Sequence, residues 1–125
     1  MPPHVEALSR IVIDAGLKVH KALGPGLLES AYEHCLAHEL QSRGIAVRRQ
    51  VALPVVYEGI TLDAGYRIDL LVAEAIVIEV KAVDLMLRIH WAQVLTYLRL
   101  SGHRLGLLMN FNVEQFRHGV KRLVN

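Results

Sequence analysis

Apolar residues along the first part of the chain recur at three- and four-residue steps. Val5, Leu8, Val12, Ala15 and Val19 therefore share one side of an expected helix running to about Leu23, ended by Gly24-Pro25-Gly26. A second helix is expected from near Leu27, turning Leu28, Ala31, Cys35, Leu36 and Leu40 inward and stopping at Gly44. From there the period shortens. Stretches 45–57, 61–72 and 75–83 are rich in valine and isoleucine, and the short turns Glu58-Gly59 and Ala73-Glu74 separate them, which predicts an antiparallel meander. Pro54 favours an edge position for the first strand. Helical spacing returns over 85–100 through Ile89, Ala92, Leu95 and Leu98, with Ser101-Gly102 as the stop. A strand is expected over 104–110. Asn112, with Gln115 as capping partner, then predicts a last helix with a basic end at Arg117, Lys121 and Arg122.

The expected order is α-α-β-β-β-α-β-α. The β-α-β crossover should bring the last strand in parallel to the third, giving an α/β fold with a small mixed sheet flanked by helices. At 125 residues, without repeats, linkers or low-complexity segments, the chain is expected to form one domain over residues 1–125.

Four charges interrupt the apolar stretch 69–82: Asp69, Glu74, Glu79 and Lys81. Alternation puts Ile76, Ile78, Val80 and Ala82 on one face of their strand and Val77, Glu79 and Lys81 on the other. In the strand before it, Arg67, Asp69 and Leu71 share a face opposite Ile68, Leu70 and Val72. A three-residue loop Ala73-Glu74-Ala75 would set Asp69 opposite Glu79, whereas a two-residue loop would separate them; the even register or a bulge is expected. Facing carboxylates in a partly buried sheet repel unless neutralised. Two solutions are open at this point: a divalent cation, for which oxygen ligands suit Mg²⁺ or Mn²⁺, or a structural cluster neutralised by Lys81.

Composition narrows the classes. Hydrophobic residues make up 53% and charged residues 21%, so a homodimer covering apolar surface is expected. No apolar run reaches the length of a membrane span and the N-terminus carries no signal-peptide pattern, which points to a cytoplasmic protein without membrane contact. A single cysteine, Cys35, rules out an internal disulfide and a multi-cysteine zinc site. The formal charge of +2 permits nucleic-acid binding without demanding it.

Asp69, nine residues, then Glu79-Val80-Lys81 resembles the D…ExK motif of the PD-(D/E)XK nuclease superfamily, and the α-β-β-β-α-β order matches that superfamily's restriction-endonuclease-like core. Gln93-Val94-Leu95-Thr96-Tyr97 has the QxxxY form of its RecB-like branch, and Gly26-Leu27-Leu28-Glu29-Ser30-Ala31-Tyr32 is similar to the signature of the GxxExxY family. Flanking stretches LGPGLLESAYE, GYRIDLLV, EVKAV and NFNV extend the likeness over nearly the whole chain. The resemblance implies a metal-dependent nuclease acting on DNA or RNA, or a module that keeps the fold and binds nucleic acid or a protein partner without catalysis. By position it implies Asp69, Glu79, the Val80 carbonyl and Glu29 around Mg²⁺ or Mn²⁺, with Lys81 orienting or activating water. Gln93 and Tyr97 would support substrate phosphates or the site's geometry, Tyr32 would steady a carboxylate, and Gly26 would let the backbone come close.

Other residues read more simply. His34 and His38, an i, i+4 pair without HExxH, belong on a solvated face, and His20 and His90 are minor candidates for a ligand and a phosphate contact. Trp91 is read as packing or interface ahead of base stacking. Arg48-Arg49 and the C-terminal cations can meet a nucleic-acid backbone but read first as surface, and Arg67 reads as an ion-pair partner.

Overall fold

The N-terminal stripe folds as α1, Pro3–Leu23, with Pro3 at its first turn, where a missing N–H costs no intrahelical bond. The computed structural model describes residues 1–125. Next come α2, Glu29–Ser42, and strands β1, Val47–Ala52; β2, Val55–Tyr57; β3, Ile60–Leu62; β4, Arg67–Val72; and β5, Ile76–Lys81. Helix α3, Arg88–Ser101, crosses over to β6, Leu105–Asn110, and the chain closes with a 3₁₀ turn, Phe116–His118, and β7, Val120–Val124. A five-stranded mixed sheet has the order β1-β4-β5-β6-β7, parallel between β5 and β6 and antiparallel elsewhere. Helices on both faces complete the restriction-endonuclease-like α/β architecture that the sequence implies.

The parallel strand β6 is buried throughout, as both its faces are covered. One face, with Leu70, Val72, Ile78 and Leu107, meets α1 and α2 in a cluster of 18 buried residues that includes Tyr32, Leu36 and Leu40. The other carries a cluster of 9, where Leu71, Val77 and Leu108 meet Val94, Tyr97 and Leu98 of α3. The α1–α2 face thus holds the larger core. At Gly106 an added Cβ would lie 2.7 Å from Val94 Cγ1, so the missing side chain sets how closely α3 approaches β6.

Two parts depart from the expected elements. The long stretch 45–57 divides at Pro54, and the Glu58-Gly59 turn closes a separate β2–β3 ribbon while β1 pairs directly with β4. The last helix is not formed: residues from 120 on make an edge strand against β6. Val113, Phe116, Val120 and Leu123 mimic helical spacing, but the loop is held by Asn110, whose amide N–H bonds the Gly119 carbonyl at 2.8 Å. A Cβ on Gly119 would lie 2.0 Å from the Asn110 carbonyl oxygen, so this close backbone approach requires glycine.

Candidate active site

The β4–β5 hairpin turns through Ala73, Glu74 and Ala75, with Ala73 and Glu74 at positive φ. Its pairs Val72↔Ile76, Leu71↔Val77 and Leu70↔Ile78 set an even register, so the next position on each strand is Asp69 and Glu79. There the backbone ladder stops and the side chains replace it. Asp69 N–H donates to Glu79 Oε1 at 3.2 Å, and Val80 N–H donates to Asp69 Oδ2 at 2.9 Å. Each carboxylate therefore occupies a backbone donor that a regular ladder would have used.

The neighbouring ladder is broken at the same level. β1 pairs with β4 from Val47↔Val72 to Arg49↔Leu70 and resumes at Val51↔Ile68, leaving Gln50 and Asp69 unpaired between them. Gln50 stands at φ 51°, a left-handed conformation uncommon for this residue. Its Nε2 donates to Glu33 Oε1 at 2.8 Å and to Asp69 Oδ1 at 3.3 Å. The break also sends Ile68 into the α3-side cluster, away from Leu70 and Val72. Glu33 is buried on α2 and accepts a 2.6 Å ion pair from Arg49.

Electrostatics follow from this burial. Glu79 is only 3% exposed, and desolvation, followed by the charge of Asp69, pushes its carboxyl up to about 9. Burial also raises Asp69, with the Glu33 charge adding to it against the lowering effect of the Val80 N–H. Lys81, partly exposed two residues after Glu79, forms no ion pair with either acid. Its charge acts on Glu79 only at longer range. The cluster neutralised by a Lys81 salt bridge is therefore not what this geometry forms. Two oxygen-donor side chains in need of positive charge fit a hard divalent cation, which characteristically keeps several waters beside one or two carboxylates. No three or more histidine, cysteine, aspartate or glutamate side chains converge closely enough to hold a metal by themselves.

On α3, Gln93 Nε2 donates to the Tyr97 hydroxyl at 2.9 Å, so the two QxxxY residues engage each other. Burial raises the Tyr97 phenol, and the charges of Glu79 and Asp69 add to the shift.

Several expected residues lie elsewhere. Glu29 opens α2 on the exposed side and bonds to neither carboxylate; the acid that α2 directs toward the pair is Glu33. Glu33 falls on the inward stripe with Leu36, Ala37 and Leu40, and an acidic residue on a buried stripe is the sequence signal that would have singled it out. Gly26, at φ 102°, donates its N–H to Asn112 Oδ1 at 3.1 Å. The Tyr32 hydroxyl donates to the Gly24 carbonyl at 2.6 Å and accepts from Leu27 N–H at 3.1 Å, while its ring stacks on Phe111. Tyr32 thus pins the α1–α2 turn and steadies no carboxylate. Asn112 Nδ2 also donates to Asp84 Oδ1 at 2.9 Å, and Asn110 brackets Val83 through both its N–H and its carbonyl. The GPG and NFNV stretches therefore fix the segment that leaves Lys81.

His20 is buried at 2.6 Å from the Val113 carbonyl, and His90 Nδ1 caps α3 by accepting from Leu87 N–H. His34 Nε2 sits 3.0 Å from Arg49. Arg67 pairs with Asp63 and Arg48 with Glu74, and Lys121 lies over the Trp91 ring. No helix is long and apolar enough to cross a membrane.

A family model described as the PD-(D/E)XK nuclease superfamily matches residues 6–123. Neither the curated proteins nor the solved structures yield a match to the chain.

Proposed function

The chain belongs to the PD-(D/E)XK nuclease superfamily, and from that premise we propose that it is a metal-dependent nuclease hydrolysing phosphodiester bonds of DNA or RNA. The observation that carries this reading is the buried Asp69–Glu79 pair, set face to face at the broken end of the β4–β5 ladder without a cation paired to it. Members of the superfamily generally use divalent metals. Here Asp69 and Glu79, with the Val80 carbonyl, would hold Mg²⁺ or Mn²⁺. A bound divalent cation supplies the positive charge that polarises a phosphodiester and eases deprotonation of water near neutral pH.

The chain's own groups would do the rest. Gln50 and Glu33 hold Asp69 in place, Lys81 orients the attacking water and faces the charge that develops on the phosphate, and Gln93 with Tyr97 fixes the adjoining wall. Water oxygen bonds to phosphorus as the P–O bond to the leaving nucleotide breaks, the water proton passes to solvent, and a solvent water protonates the leaving oxygen. Within the superfamily we place the chain in the GxxExxY family with RecB-like features, on Gly26, Glu29 and Tyr32 and on Gln93 and Tyr97. A homodimer is proposed on the exposed Leu23, Leu27 and Leu28 at the α1–α2 turn.

A second reading, a non-catalytic binding module, is favoured by the backbone N–H bonds that already engage both carboxylates and by the absence of a three-acid cluster. Cleavage of single- and double-stranded DNA and RNA with Mg²⁺ or Mn²⁺ decides between the two. The nuclease reading predicts activity that a chelator abolishes and that Lys81→Ala lowers by at least about 100-fold with the fold intact. No cleavage of any substrate by the wild type, or full activity in Lys81→Ala, would contradict it.

A further inference from the structure

Beside the Gln93–Tyr97 wall runs an open groove of about 370 Å³ between α3 and the β2–β3 ribbon, floored by Val55, Tyr66, Ile89 and Leu100. Tyr66 is 46% exposed and Ile89 67%. Val55 pairs with Leu62 and Tyr57 with Ile60, so these four side chains share one side of the ribbon and continue the apolar strip outward from the groove. Large apolar and aromatic side chains left open in a continuous strip ask for a partner with flat apolar faces.

The α3 edge of the groove carries charge of one sign, while the ribbon opposite carries Glu58 and Asp63, the latter paired with Arg67. Residues 85–113 contain no aspartate or glutamate, and from residue 85 to the C-terminus six lysines and arginines stand against one glutamate. Arg88, Arg99 and Arg104 pair with no acidic side chain, whereas of the six C-terminal cations Arg122 pairs with Glu6. Arg99 donates to Thr96 Oγ1 at 3.0 Å, and Thr96 lines the groove, so this guanidinium sits at its rim. Arg88 and Arg99 are close to three helical turns apart and hence on one edge of α3, separated by about 16 Å along its axis.

We propose that this groove binds a single-stranded segment of nucleic acid, with bases against Tyr66, Ile89 and Leu100 and phosphates along Arg88 and Arg99. The proposal rests on the nuclease reading of the adjacent Asp69–Glu79 pair and names the substrate form that site receives. A duplex keeps its bases stacked inside and offers the apolar floor nothing, while an unpaired strand presents both base faces and regularly spaced phosphates. A second copy fits less well, because a two-fold contact through α3 would set these arginines against their own equivalents with no acid between them.

Fluorescence anisotropy of labelled oligonucleotides in chelator tests the groove independently of cleavage. The full chain should bind single-stranded DNA or RNA at least about tenfold tighter than a matched duplex, and Tyr66→Ala should weaken single-strand binding by about tenfold. An Arg88→Gln/Arg99→Gln double variant should reduce the slope of log affinity against log salt by about 1.4. Equal or tighter duplex binding, or unchanged affinity in these variants, would overturn the proposal. So would sedimentation velocity in which Ile89→Asp converts a wild-type dimer to monomer, since the face would then serve a second copy. Metal-dependent cleavage that ignores strandedness and both sets of substitutions refutes the groove alone. Preferential single-strand binding without cleavage supports the groove and refutes the nuclease reading.

Discussion

The two faces of the sheet bury apolar surface to different extents and treat their charges differently. On the α1–α2 face the larger cluster is sealed, and Lys18 and Arg43 pair with Glu39 and Arg49 with Glu33, while Arg10 and Lys21 of α1 stay unpaired. On the α3 face the cluster is half the size, Arg88 and Arg99 have no acidic partner, and Ile89 and Tyr66 stand open to solvent. The larger core is therefore on one side of the sheet and the open strip beside unpaired arginines on the other. The broken end of the β4–β5 ladder lies between them, bonded to α2 through Gln50 and Glu33, and its charges reach the Tyr97 phenol of α3.

Substitutions on the two faces should break this contrast if it is false. Leu36→Ala, in the fully buried α1–α2 cluster, is expected to cost about 2–5 kcal/mol in urea unfolding. An intermediate effect belongs to the pair between the faces. Glu79 holds its proton more tightly folded than unfolded, from an ordinary 4.5 up to about 9. Its contribution to metal-free stability is thus full below about pH 4.5 and is lost as the pH rises toward 9. Glu79→Gln should remove that slope and raise metal-free stability near pH 8 by about 1–3 kcal/mol. A variant with the wild-type slope would show that the pair is not strained by its buried charge. The smallest change is expected on the open face, where Ile89→Ala should shift stability by no more than about 0.5 kcal/mol. A cost there comparable to that of Leu36→Ala would erase the distinction between the faces.

Much of this arrangement is legible in residue order. Ala73-Glu74-Ala75 has the length that puts Asp69 across from Glu79, and the α3 crossover makes β5 and β6 parallel. What escaped is tertiary. Glu29 and Glu33 are one turn apart on α2, and only the packing of Leu36 and Leu40 against the sheet decides that Glu33 faces Gln50. The left-handed Gln50 carries no local signal, since glutamine rarely adopts that conformation unless its partners impose it. At the C-terminus, Asn112 and the spacing of Phe116, Val120 and Leu123 satisfy a helix pattern equally well, and the backbone contact at Gly119 with the open edge of β6 selects a strand.

The central claim is that Asp69 and Glu79 form a cation site, and calorimetric titration of Mn²⁺ into the wild type and Asp69→Asn near neutral pH tests it most directly. Saturable binding in the wild type that disappears in the folded Asp69→Asn variant is the predicted result. No binding by the wild type, or equal binding by both proteins, would contradict it.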